Sequence, residues 1–235
     1  MIIERPSNAR GEVSLGWLQS RHTFSFGHYH DPAWMGFGPL RVINDDTVAP
    51  GGGFSPHRHA NMEIISVVLQ GALAHRDSTG TVGVIEAGDV QWMSAGHGIE
   101  HSEYNSSDVA PVHFLQIWIQ PDRLNAQPAY AQQRFEPADR RARWATLVSP
   151  DGIGGSIAIR QQATLRAASL QPGDDVAATL DPERQYWLHV ATGEVAVGER
   201  VLKAGDALGF VQEAGALALR GVAVDSEVLL FDLPV

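Results

Sequence analysis

The stretch Gly51-Gly52-Gly53-Phe54-Ser55-Pro56-His57-Arg58-His59-Ala60-Asn61-Met62-Glu63, running into Ile64-Ile65-Ser66-Val67-Val68-Leu69, decides how the rest of the chain is read. A glycine run and a proline lead into two histidines one residue apart, and a short apolar run follows. Side chains at i and i+2 of a strand point to the same face. His57 and His59 therefore project together, and Glu63 joins them if the strand stays regular. Further on, His101-Ser102-Glu103 repeats the spacing. Two such pairs on facing strands bring three imidazoles and one carboxylate around a point, a site for a borderline transition metal.

Outward from this stretch the chain is a train of short apolar runs cut by turns. Leu40 to Asp46 reads as a strand, as do Glu63 to Leu69, Ala72 to Asp77, Thr81 to Ile85, Val90 to Met93 and Val112 to Gln120. Gly71, Asp77-Ser78-Thr79-Gly80 and Ala87-Gly88-Asp89 supply turns, and 24 Gly and 13 Pro in 235 residues fit that pattern. Regularly spaced short strands indicate a sandwich or barrel. Pro121 to Arg143 is polar and carries three prolines, so it reads as a linker with one short helix. Strands then resume. Leu69-Gln70-Gly71-Ala72-Leu73 is echoed by Val190-Ala191-Thr192-Gly193-Glu194-Val195, and Ile85-Glu86-Ala87-Gly88-Asp89-Val90 by Leu202-Lys203-Ala204-Gly205-Asp206-Ala207. A repeat of this size predicts two copies of one β-domain: residues 1–120 with the ligands, a linker over 121–143, and residues 144–235 with neither His-x-His nor His-x-Glu.

The totals narrow the function. There is no cysteine, so a metal must sit on histidine and carboxylate. A formal charge of −10 argues against direct nucleic-acid binding, which needs a basic face. No apolar run approaches the ~18 residues of a membrane span, and Met1-Ile2-Ile3-Glu4-Arg5-Pro6 lacks the basic start and apolar core of a signal peptide. A cytoplasmic protein is expected.

Gly51 ahead of His57-x-His59 resembles the first cupin motif, and Gly88-Asp89 leading through Ala95-Gly96 to His101 resembles the second. Pro56-His57-Arg58-His59, Glu63, Gln91-Trp92-Met93-x-Ala95-Gly96-x-Gly98-Ile99-x-His101-x-Glu103 and Leu115-Gln116-Ile117-Trp118 are together similar to the pirin family of two-cupin proteins. The resemblance implies an all-β fold of two tandem cupin barrels, each a jelly-roll-like double-stranded β-helix, with a metal in the first barrel only. It implies His57, His59, His101 and Glu103 as ligands, whereas the general cupin pattern puts the acidic ligand near Glu63. Glu103 is then a ligand or a carboxylate orienting a histidine. Glu63, costly to bury unpaired, hydrogen-bonds a ligand or substrate, or exchanges roles with Glu103.

Other histidines have blander readings. His75 and His113 sit in strand patterns and read as packed or hydrogen-bonded. His22, His28 and His30 lie in an aromatic segment from which one could rim the pocket. His97, between glycines, belongs at the mouth, and His189 is structural. Trp34, Phe37, Trp92 and Met93 either wall a flat aromatic substrate or pack the core.

Several members of the family cleave flavonols such as quercetin with dioxygen, and animal members act as transcription co-regulators. Three neutral imidazoles and one carboxylate leave a divalent ion at about +1 with up to two open positions, suited to the deprotonated 3-hydroxyl of a flavonol and to O2. Iron(II) is the first choice; copper, nickel, manganese, cobalt or zinc could load instead. Glu103 or Glu63 serves as base, and the resemblance supplies ring opening to a depside with loss of carbon monoxide. The alternative is a metal-dependent regulator without catalysis that binds a protein partner. An open, aromatic-lined cavity above the ligands favours the enzyme; a plugged one favours the regulator.

Overall fold

Apolar runs cut by glycine and aspartate turns become strands throughout the computed structural model, which describes all 235 residues. The first twelve are β1 (Ile2–Arg5), β2 (Gly11–Ser14), β3 (Leu18–His22), β4 (Leu40–Val48), β5 (Gly53–His59), β6 (Glu63–Gln70), β7 (Ala72–Asp77), β8 (Val82–Glu86), β9 (Asp89–Ser94), β10 (Ile99–Asn105), β11 (Val112–Ile119) and β12 (Ala129–Arg134). The expected short helix is Pro137–Arg140. No helix is long and apolar enough to cross a membrane.

The chain divides into two units, residues 11–134 with 159–161, and residues 1–10 with 135–158 and 162–235. In the first, a seven-stranded sheet runs β12-β9-β6-β11-β4-β3-β2 and a four-stranded sheet runs β5-β10-β7-β8. The second repeats the plan. Its larger sheet is ordered β1, Ala207–Val211, Arg184–Thr192, Ser226–Pro234, Thr164–Leu170, Ala145–Ser149 and Ile157–Ala158. Each unit is a cupin barrel, as the family resemblance implies.

The borders differ from those read in the sequence. The segment expected as a linker, 121–143, contains β12, which pairs along its length with β9. Conversely, β1 lies against Ala207–Val211, so residues 1–10 belong with the second barrel. Both strands satisfy an edge whose backbone groups would otherwise stand open, and neither has the hydrophobic alternation that would announce it.

The internal repeat holds down to backbone angles. Gly71 and Gly193 have φ of 78° and 71°, and Gly88 and Gly205 have 93° and 86°. A side chain at Gly71 would place its Cβ 2.8 Å from the carbonyl oxygen of Pro111, so this turn requires glycine. In both copies an aspartate closes the next turn. Asp89 Oδ2 accepts from the amide of Glu86 at 3.1 Å, and Asp206 Oδ2 from that of Lys203 at 2.8 Å.

The interiors differ. In the second barrel Tyr186, Leu188, Val190, Leu217, Leu219, Val228 and Leu230 form one apolar cluster with their neighbours. In the first, apolar residues gather at two ends. Val48, Val68, Leu73 and Phe114 mark one end, and Ile64, Met93 and Ile99 the other. The residues between them on the same strand faces are polar and buried: Asp46, Ser66, His75, Gln91, His101, Glu103 and Gln116. Counted back from the matched glycines, Leu188 stands where Ser66 does. A buried polar layer costs free energy unless it is paired or put to use, and the first barrel alone carries one.

Candidate metal centre

The four-stranded sheet of the first barrel assembles the histidines through its register. β5 and β10 are antiparallel with His57 opposite His101 and Ile99 opposite His59. The alternation of β5 turns His57 and His59 to one side, both half-buried, while His101 and Glu103 are buried. The ring centroids form a near-equilateral triangle: 4.8 Å for His57 to His59, 4.5 Å for His57 to His101 and 4.9 Å for His59 to His101. One ligand atom from each of these residues lies within 4.8 Å of the other two.

The proton positions suit a cation. His57 Nδ1 is 2.8 Å from the carbonyl oxygen of Ser55, so it carries the hydrogen and leaves the Nε2 lone pair for a ligand. Both ring nitrogens of His101 are buried without a hydrogen-bond partner. An orphaned buried imidazole is costly, and a cation beside it would remove the cost. Burial, followed by the neighbouring His57, pushes His59 down to about 4. Burial, then His57, His59 and His75, pushes His101 down to about 2, with Asp77 opposing. Around neutral pH both rings are therefore neutral and able to donate a lone pair.

Glu103 lies deeper. It falls outside the His57, His59, His101 group and forms a second one with His75 and His101, again with ligand atoms within 4.8 Å. Gln116 Nε2 donates to Glu103 Oε2 at 2.8 Å, and the Ser66 hydroxyl sits 3.1 Å from Gln116 Oε1 and 3.4 Å from Glu103 Oε1. Burial and then the charge of Asp46 push Glu103 up to about 7, against the hydrogen bonds from Ser66 and Gln116. Asp46 is itself pushed up to about 7, chiefly by burial.

Glu63 is not brought to the histidines. The parity that would align it with His57 and His59 requires one regular strand, but β5 ends at His59 and β6 begins at Glu63. Asn61, with φ of 51°, turns the chain between them. Glu63 is buried, and its oxygens accept from Trp92 Nε1 at 2.8 Å, the Ser94 hydroxyl at 2.5 Å and the Arg160 amide at 3.0 Å. Three donors satisfy its carboxyl oxygens, which gives it a structural role.

His75 is packed and hydrogen-bonded, as its strand pattern suggests, and it also lies beside His101 and Glu103, a placement sequence reasoning did not foresee. It is buried on β7 directly opposite Glu103, and Asp77 is opposite His101. His75 Nε2 is 3.2 Å from Asp77 Oδ2, and its ring stacks on Tyr130 with centroids 5.1 Å apart. The signal was present as His75-x-Asp77, a second histidine–acid pair at strand spacing.

A cleft of about 580 Å³ opens beside the triangle, lined by Arg58, His59, Ala60, Ser78, His97, Gly98, Ile99 and Glu100. His97 is at the mouth, as its glycine flanks suggest. The aromatic wall is not there: Phe37, Trp92 and Met93 are buried in packing and none lines the cleft, which is polar and charged instead. None of His22, His28 and His30 lines it either.

Comparison with known proteins extends this picture. Residues 4–119 match the family model described as Pirin, and residues 146–233 match that of the quercetinase C-terminal cupin domain. The chain is 42% identical over 234 residues to quercetin 2,3-dioxygenase of Escherichia coli K12, covering 100% of this chain and 99% of that one. It is 39% identical over 233 residues to a pirin-like protein of Caulobacter vibrioides, covering 99% of each. The crystal structure of the bacterial pirin YhhW from Escherichia coli in complex with nickel(II) superposes with a TM-score of 0.93 at 41% identity, covering 100% of this chain and 99% of that one.

Proposed function

The chain belongs to the pirin family, and from that premise we propose that it is a metal-dependent dioxygenase that opens a flavonol such as quercetin with O2, giving a depside and carbon monoxide. The observation that carries the proposal is the triangle of His57, His59 and His101, with both nitrogens of His101 buried and unpartnered. These three and Glu103 are the proposed ligands, and iron(II) is the proposed ion. A bound divalent ion supplies Lewis acidity and, if redox-active, electrons for oxygen chemistry.

The protein's own groups do the rest. The Ser55 carbonyl fixes His57 in the tautomer that presents Nε2. Glu103, on leaving the ion, is the carboxylate placed to take the 3-hydroxyl proton of a flavonol; Gln116 and Ser66 hold its carboxyl in place. Glu63, the other candidate base in the sequence, is assigned a structural role. The cleft reaches His59 but not His57 or His101 and lacks the aromatic lining expected of a flavonol enzyme; it is open rather than plugged, and in that respect supports this reading over a regulator without catalysis.

The test is anaerobic loading with iron(II), then quercetin and oxygen, following loss of the flavonol absorbance. Turnover unchanged in His101→Ala excludes this site.

A further inference from the structure

β7 and β10 carry two histidine–acid pairs that run antiparallel to each other, so that His75 faces Glu103 and Asp77 faces His101. His75, His101 and Glu103 are 2%, 2% and 1% exposed. His75 Nδ1 and both nitrogens of His101 have no hydrogen-bond partner, and one ligand atom from each of the three residues lies within 4.8 Å of the others.

Asp77 prepares this arrangement. The Thr79 amide, the Thr79 hydroxyl and the Thr81 amide converge on Asp77 Oδ1 at 2.8, 2.6 and 3.2 Å. Its other oxygen takes the Nε2 hydrogen of His75. Nδ1 of His75 is thereby left as a lone pair, which is how a carboxylate conventionally readies a histidine for a metal.

We propose that His75, His101 and Glu103 form a second, inner seat for a divalent transition-metal ion, with Asp77 as the residue that positions His75. Two imidazoles and one carboxylate are a ligand set suited to iron(II) and its neighbours. The inner seat shares His101 with the triangle of His57 and His59. The two seats are therefore alternatives for one ion, and the inner one does not require His57 or His59.

The test uses cobalt(II) and the full chain, read by calorimetric stoichiometry and by the visible ligand-field bands. His57→Ala/His59→Ala removes the outer seat from partly exposed positions and is expected still to take one equivalent, with bands altered from those of the unmutated chain. Adding Asp77→Asn is expected to weaken that binding about 10–100-fold, and adding His75→Ala to abolish it. Because His75 is buried and its alanine variant could fail to fold, the near-isosteric Asp77→Asn decides the matter if it does. No binding by the double variant, or retained binding unaffected by Asp77→Asn, overturns the proposal. Neither result bears on flavonol turnover by the unmutated chain, so the dioxygenase reading stands or falls separately.

Discussion

Replacing Glu103 with glutamine is expected to change how many protons the chain gives up when it takes a divalent ion. Glu103 is pushed up to about 7, so in the metal-free chain it is about 0.9 protonated at pH 6 and about 0.1 at pH 8, and it must lose that proton to bind as a carboxylate. His59 and His101, held at about 4 and about 2, are neutral at both pH values and contribute almost nothing. Glu103 therefore adds about one released proton at pH 6 and close to none at pH 8, and the apparent affinity climbs about tenfold per pH unit from this group alone below 7. Titration with nickel(II) in buffers of different ionisation enthalpy separates proton release from binding heat. The difference between the unmutated chain and Glu103→Gln should be about 0.9 proton at pH 6 and should vanish by pH 8. Equal release by both proteins at pH 6, or a difference that grows rather than shrinks as pH rises, would refute the assignment of Glu103 as a ligand that enters as its anion.

Asp46 keeps its proton in the folded chain up to about 7, while the unfolded chain has lost it, so its contribution becomes unfavourable as pH rises from about 4 to about 7. Asp46→Asn should therefore stabilise the metal-free chain at pH 8 by up to about 4 kcal/mol and much less near pH 4, as read by urea unfolding; an equal gain at both pH values contradicts the cause given. Glu63→Ala strands the buried donors of Trp92, Ser94 and Arg160 and should cost about 3–5 kcal/mol with ion stoichiometry unchanged. Loss of the ion with stability intact would return Glu63 to the metal centre. Trp118 packs edge-on against His59 with ring centroids 4.8 Å apart, so a paramagnetic ion should quench its fluorescence. Trp118→Phe should remove most of the quenching, and quenching of undiminished size would place the ion elsewhere.

Most of the architecture was legible because its signals are local. Gly71, Gly88, Gly193 and Gly205 are turn positions that only glycine fills comfortably, and each copy shows them at matching places. The triangle was legible because His57, His59 and His101 need only strand parity and one antiparallel pairing to meet. Glu63 misled for the same reason: parity presumes an unbroken strand, and Asn61 in the left-handed region breaks it. His75 is packed and hydrogen-bonded as its strand pattern suggests, but its place beside His101 and Glu103 was not legible because register sets it. Nothing within Ala72-Leu73-Ala74-His75-Arg76-Asp77 says that it will lie opposite Glu103. The edge strands β1 and β12 escaped notice because backbone pairing, which leaves no side-chain pattern, recruits them.

That recruitment of β1 bears on how the protein can be dissected. Ile2 to Arg5 ladder onto Phe210 to Ala207, and the amino terminus itself reaches the Val211 carbonyl at 2.7 Å. A fragment cut to begin at residue 135 would keep the whole apolar cluster of the second barrel yet leave Ala207–Val211 with a bare flank, inviting another molecule to zip onto it. Expression of that half alone should give self-associating material, and supplying residues 1–10 as a free peptide should restore a monodisperse product.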